Sequence, residues 1–125
     1  MRLLLDTHVV LWWLGADERL GPAGRTRIDA ATERVLSVAT VWEISIKRGL
    51  GKLQAPDDII GRLRQPGLRV MPIAYEHAVA AGGLPWHHRD PFDRMLVAQA
   101  RLEGLTVMTE DRRIRAYSVD TVAAT

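Results

Sequence analysis

Cysteine is absent from the 125 residues, which excludes disulfides, thiolate metal sites and a cysteine nucleophile. No apolar run is long enough to span a bilayer. The most apolar segment, "MRLLLDTHVVLWWL" at residues 1–14, is broken by Asp6 and His8, so it fits neither a membrane helix nor a good signal peptide. A cytoplasmic protein with no membrane attachment is therefore expected. A large charge of one sign is also lacking. The 17 Lys and Arg stand against 15 Asp and Glu, a formal net charge of +2, too little by itself to point to nucleic acid. There is no internal repeat, low-complexity tract or linker. Ser37 and Ser45 have no histidine–acid pattern near them, so serine catalysis has no support. "GLGK" at residues 49–52 falls short of a phosphate-binding glycine loop.

What is present suits one globular domain over residues 1–125, with 47% hydrophobic and 26% charged residues. Short apolar strands alternate with amphipathic helices. "RLLL" is a strand and "HVVLWWL" a helix; residues 22–32, opened by Pro22, read as helix. "RVLSV" is a second strand, followed by the helix "TVWEISIKRG" from Thr40 to Gly49. "PDDIIGRLRQ" reads as a helix capped by Asp57, "LRVMPI" as a strand and "AYEHAVAAGG" as a helix. Then come a helix opened by Pro91, the strand "LTVMT", a short helix over Arg112–Tyr117 and a last strand, "SVDTV". This alternation predicts an α/β fold whose parallel sheet is covered on both faces, with ligands at the carboxyl ends of the strands.

Acidic residues fall where that rule points. Asp6 follows the strand "RLLL" directly, and Asp111 follows "LTVMT" by two residues. Asp93 lies three, four and seven residues before Leu96, Val97 and Ala100, on the stripe that faces the core. Glu43 sits among Val41, Trp42, Ile44 and Ile46, too apolar a setting for a purely solvated glutamate. Each has an ordinary alternative: Asp90 and Asp93 at helix-capping positions beside Pro91, Asp111 at a turn, Glu43 paired with a buried arginine. Taken together they predict a cluster at one sheet edge, where like charges destabilise the fold unless a cation compensates. An all-oxygen cluster suits Mg²⁺ or Mn²⁺, which can orient water and stabilise charge on a phosphate.

At these residues the chain resembles the PIN domain family, and within it the VapC-type toxins of bacterial toxin–antitoxin pairs. The segments that carry the resemblance are "LLLDTHVVLWWL", "SVATVWEISIKRGLGKL", "LPWHHRDPFDRMLVAQA" and "LTVMTEDRRIRAY", which together run from residue 3 to residue 117. The resemblance implies a PIN-like (Rossmann-like) α/β/α sandwich with a central, mostly parallel sheet. It also implies a metal-dependent endoribonuclease neutralised by a small protein antitoxin, as a homodimer or a hetero-oligomer with that partner. Of the four acids Asp6, Glu43, Asp93 and Asp111, it assigns Asp6 and Asp93 as principal ligands of Mg²⁺ or Mn²⁺. Asp111 and Glu43 complete the site directly or through water. Thr109 and Asp90 are supporting residues.

With the four acids set aside, the remaining charge is about +6, enough to hold a phosphodiester backbone around a negative pocket. Lys47, Arg48, Arg94 and Arg112 are the expected RNA contacts, with Lys52, Arg89 and Arg113 nearby and Trp86 as a stacking residue. His87 and His88, without helical ligand spacing, read as a solvated loop, and His8 as a helix-start residue. Of Trp12 and Trp13, one is expected in the core and the other facing a partner. Two rivals remain at this point: a non-catalytic RNA-binding or scaffolding relative of the same fold, and a receiver-like phospho-switch. The second would need a lysine after a late strand, where "LTVMTEDRR" offers arginines.

Overall fold

A computed structural model describes all of residues 1–125. Five strands, β1 (Arg2–Leu5), β2 (Glu33–Ser37), β3 (Arg69–Met71), β4 (Thr106–Met108) and β5 (Thr121–Val122), form one all-parallel sheet in the order β3-β2-β1-β4-β5. Seven helices alternate with them: α1 (Thr7–Leu14), α2 (Pro22–Ala30), α3 (Val38–Gly49), α4 (Ile59–Arg62), α5 (Tyr75–Gly82), α6 (Pro91–Glu103) and α7 (Arg112–Arg115).

The strands read as unbroken apolar runs because both faces of the sheet are covered. Successive side chains alternate between them. Leu3, Leu5, Leu36 and Met108 pack with Val9, Val10, Ile28 and Ile44 from α1, α2 and α3. Leu4, Val35 and Val107 pack on the other side with Leu96, Val97 and Ala100 of α6 and Ile114 of α7. The result is the expected α/β/α sandwich.

The strand order also rules out the receiver-like rival, whose doubly wound sheets run 2-1-3-4-5. Here the chain moves outward from β1 through β2 to β3, then crosses back to lay β4 on the other side of β1. The direction of winding reverses between β1 and β4, and a crevice opens at their carboxyl ends.

Several boundaries differ from expectation for local reasons. The α2 helix stops at Ala30, because Thr32 turns back to donate its N–H to the Met1 carbonyl at 3.0 Å. The α3 helix begins two residues before Thr40, since the Ser37 hydroxyl accepts from the Ala39 N–H at 3.0 Å and caps it there. The long helix expected over residues 56–65 is only Ile59–Arg62. Asp58 rather than Asp57 stands at its N-cap and makes no side-chain bond, and Gly61 lies inside it. The α6 helix has strong ends. The Asp90 carboxylate accepts from the Phe92 and Asp93 N–H groups at 2.8 and 3.1 Å, Pro91 opens the helix, and Gly104 at φ 67° closes it.

Gly24 of α2 lies against the segment following β5 so closely that an added Cβ would stand 1.9 Å from the Ala124 carbonyl oxygen. Gly24→Ala should therefore destabilise the fold by about 1–3 kcal/mol, the range for overpacking a filled site. Gly61→Ala, where nothing lies within 4 Å, should not destabilise it. Urea unfolding of both variants checks the contrast.

Candidate active site

The site is built by the pairing of β1 with β4. Leu5 is in register with Met108, so the residues that follow, Asp6 and Thr109, emerge side by side at the crevice. The Asp6 N–H donates to the Met108 carbonyl at 3.2 Å. The fully buried Thr109 hydroxyl donates to Asp6 Oδ2 at 2.6 Å and accepts from the Asp111 N–H at 2.9 Å. One hydroxyl thereby ties Asp6 to the Asp111 backbone. The other oxygen of Asp6 accepts from the His8 N–H at 2.9 Å and caps α1. Asp111 caps α7 in the same way through the Arg113 N–H at 2.8 Å. A cleft of about 330 Å³, lined by Asp6, Trp12, Arg19 and Asp111 among others, opens beside them.

Asp93 reaches the crevice from the first turn of α6. Burial pushes its carboxyl up to about 7, the neighbouring charge of Asp90 pushes in the same direction and Asp6 adds to it, against a hydrogen bond from His88. Asp6 is also raised, chiefly by burial, with the Thr109 and His8 hydrogen bonds opposing and the Asp111 charge assisting the rise. Burial pushes Asp111 upward as well, but the Arg113 hydrogen bonds outweigh it and the net direction is downward. Asp6 thus feels the charge of Asp111, and Asp93 that of Asp90 and Asp6. Asp90 caps α6 and is a source of repulsion on Asp93.

Glu43 is buried in α3 with both oxygens engaged. Thr7 Oγ1 donates to Oε1 at 2.6 Å, and Lys47 Nζ, one turn on, donates to Oε2 at 2.6 Å. Its partner is this lysine rather than a buried arginine. The Glu43 hydrogen bond raises the Lys47 pKa, which the charges of Asp90 and Asp93 raise further. Lys47 is therefore paired with Glu43 beside the acids, with its side chain 40% exposed.

Three expectations are corrected. Arg94 is not exposed to RNA. It is 4% exposed and donates to the carbonyls of Ala81, Leu84, Pro85 and His88 at 2.9–3.2 Å, because a buried guanidinium must find acceptors. Trp86, 72% exposed, stacks over it at 3.8 Å. His88 is not in a solvated loop either. It is buried, with Nε2 2.6 Å from Asp93 Oδ2 and 3.8 Å from Asp111 Oδ2. The ligand atoms of His88, Asp93 and Asp111 all lie within 4.8 Å of one another. The only signal available in sequence was its place five residues before Asp93, which no helical periodicity picks out. His87 remains exposed, and so do Arg48, Lys52, Arg89, Arg112 and Arg113. Trp12 and Trp13 are both half-buried against the core beneath α1, so neither is the fully buried member expected.

Buried carboxylates pushed toward their neutral forms, as at Asp6 and Asp93, are the chemistry a hard divalent cation satisfies, and the residues at the crevice fit one. A Rossmann-like α/β/α domain with such a pocket where its winding reverses is the class that fold and site define. The chain belongs to the PIN domain family, whose model matches residues 3–120. It is 28% identical over 118 residues to Ribonuclease VapC22 of Mycobacterium tuberculosis (strain ATCC 25618 / H37Rv), covering 92% of this chain and 91% of the relative. Its fold is similar to that of VapBC2 from Rickettsia felis, solved bound to a DNA fragment from their promoter, with TM-score 0.70 at 12% identity over 98% of each chain. A toxin-antitoxin complex from Klebsiella pneumoniae gives TM-score 0.69 at 16% identity, again over 98% of each chain.

The raised Asp93 carboxyl sets a pH dependence with a definite sign. An unfolded Asp titrates near about 3.9, whereas Asp93 in the fold titrates at about 7. Between these values the native state holds the extra proton, so this group favours folding at low pH and the advantage is lost as pH rises through 7. In chelator, Asp93→Asn should gain melting temperature relative to the unsubstituted protein as pH goes from 5 to 8. A difference independent of pH, followed by circular dichroism, would show that the carboxyl is not held protonated.

Proposed function

We propose that this chain is a metal-dependent endoribonuclease acting as the toxin of a toxin–antitoxin pair, with residues 1–125 working as one domain in the cytoplasm. The observation that carries the reading is the convergence of Asp6, Asp93 and Asp111, from three separate elements, at the crevice between β1 and β4. Support also comes from the relative named as a ribonuclease and from the fold neighbours described as VapBC and toxin-antitoxin complexes. No helix is long and apolar enough to cross a membrane. A scaffolding role alone would not require the Asp6 and Asp93 carboxylates to be buried together at a cost in stability.

Asp6, Asp93 and Asp111 would hold Mg²⁺ or Mn²⁺, which supplies an activated water and neutralises charge on the scissile phosphate when bound. The chain's own residues fix the frame. Thr109 and the His8 N–H hold Asp6 in one orientation from both of its oxygens. Glu43 is locked by Thr7, the residue after Asp6, and by Lys47. Buried and bonded through both oxygens, it would complete the site by fixing Thr7 and Lys47 beside the aspartates. Arg48 and Arg112, both exposed, remain as phosphate contacts that position the RNA backbone. The antitoxin would bury apolar surface beside this pocket. The half-buried Trp12 and Trp13 and the exposed Trp42 and Leu50 of the α3 region supply it.

Asp6→Asn and Asp93→Asn keep shape while removing a ligand charge. Each should lower RNA cleavage in Mg²⁺ or Mn²⁺ by orders of magnitude with the circular dichroism spectrum unchanged. The same ions should raise the melting temperature of the unsubstituted protein, because they bind only the folded site. Cleavage by both variants at the original rate would refute the assignment.

A further inference from the structure

We infer that His88 is the positioning residue of this site, holding the Asp93 carboxylate in place through an Nε2–H hydrogen bond without itself ligating the cation. The inference rests on the metal-site reading above and not on RNA being the substrate. Distances alone allow two roles. His88 Nε2 is 2.6 Å from Asp93 Oδ2 and 3.8 Å from Asp111 Oδ2, spacings that suit either a ligand or a donor. The other ring nitrogen separates them. Nδ1 accepts from the Asp90 backbone N–H at 3.5 Å, so Nδ1 keeps its lone pair and the ring N–H lies at Nε2. An N–H can donate to Asp93, but it has no lone pair to offer a cation. Ligation through Nε2 would move the proton to Nδ1, where it would point at the N–H of Asp90.

The loop that carries His88 is held with unusual thoroughness. Tyr117 Oη donates to the Pro85 carbonyl at 2.7 Å and accepts from the His88 N–H at 3.1 Å. Arg94 donates to the His88 carbonyl at 3.2 Å and to the Pro85 carbonyl at 3.0 Å. Both backbone groups of His88 are therefore fixed, one by the segment after α7 and one by α6. Arg94 follows Asp93 in sequence, so the residue that anchors the loop and the residue the loop serves share a helical turn. The buried guanidinium thereby helps to fix the backbone from which the imidazole reaches Asp93. With Oδ2 held by His88, Oδ1 of Asp93 is the oxygen presented to a cation. Hydrogen bonds of this kind to metal-binding carboxylates are typically worth 10- to 100-fold in metal affinity.

The test is Mn²⁺ binding to the full chain, by titration calorimetry and without RNA. His88→Ala should weaken Mn²⁺ binding by about 10- to 100-fold with the circular dichroism spectrum unchanged. His88→Gln, which returns an N–H at similar reach, should recover part of the loss. In an Asp93→Asn background His88→Ala should change the affinity little, since it acts through Asp93. Pulsed electron paramagnetic resonance of the Mn²⁺-loaded protein should show no directly bound nitrogen. Equal affinity in His88→Ala and the unsubstituted protein overturns the inference, and so does a bound-nitrogen signal that His88→Ala abolishes. Should His88→Ala fail to fold, Tyr117→Phe keeps the ring and frees the His88 N–H, and it too should weaken Mn²⁺ binding; undiminished affinity there overturns the inference. A protein that binds Mn²⁺ with this His88 dependence and cleaves no RNA refutes the ribonuclease reading and leaves the positioning role standing. One that cleaves RNA in Mn²⁺ while His88→Ala binds the ion equally well refutes only the positioning role.

Discussion

The parallel pairing of β1 with β4 is the constraint on which the site depends. Non-sequential strands meet at the sheet's centre, with Leu5 opposite Met108, and the chain must leave both strands at the same edge. Asp6 and Thr109 are then neighbours by construction, and their 2.6 Å hydrogen bond closes a contact between residues 103 apart in sequence. Asp111 follows through its N–H on the same hydroxyl. A slip of one residue in this register would send Leu4 and Leu5 to exchanged faces and remove the carboxylate from the crevice. The two apolar layers that fix the register therefore fix the acid geometry as well.

The site works against the fold that holds it. Asp6 and Asp93 are both pushed toward their neutral forms, mainly by burial and additionally by the charges around them. The nearby cations leave these two uncompensated: Lys47 pairs with Glu43, Arg113 with Asp111 at 3.4 Å, and Arg94 donates to backbone carbonyls. The sheet tolerates this because strands buried on both faces supply apolar burial on each side. The strain is concentrated at the rim, where a cation would relieve it.

Much of this was legible in the sequence. Alternating apolar strands and helices gave the parallel sheet, and Asp6 and Asp111 stood at strand ends where such sheets bind ligands. Asp93 betrayed itself by lying on a core-facing stripe. The boundaries that failed did so where local chemistry outweighed periodicity, as in the Ser37 cap that advances α3 and the uncapped Asp58 that shortens α4. His88 and Arg94 were misread for a different reason. Their roles are set by contacts with Tyr117 and with the carbonyls of an irregular loop. Such contacts leave no period in the sequence, and an arginine beside an aspartate looks the same whether it faces a phosphate or a carbonyl.

The acids of the site also begin helices, and this bears on what any substitution there means. Asp6 caps α1, Asp90 caps α6 and Asp111 caps α7, each by accepting from N–H groups with Oδ1. In Asp6 and Asp111 the second oxygen, Oδ2, is the one turned to Thr109 or His88. In a parallel α/β fold, the helices that follow β1 and β4 begin at the carboxyl edge of the sheet, so their unpaired N–H groups gather where the ligand binds. For α1 and α6 the partial positive charge of the helix start favours a carboxylate and offsets part of the repulsion. Capping is thus confined to one oxygen of each side chain, and the other is the one a cation would use under the proposed function. Asparagine keeps the capping oxygen and ranks with aspartate as a cap, while alanine removes both functions at once. A loss of activity on Asp→Ala at Asp6 or Asp111 therefore conflates a frayed helix with a missing ligand, whereas the asparagine variant isolates the charge.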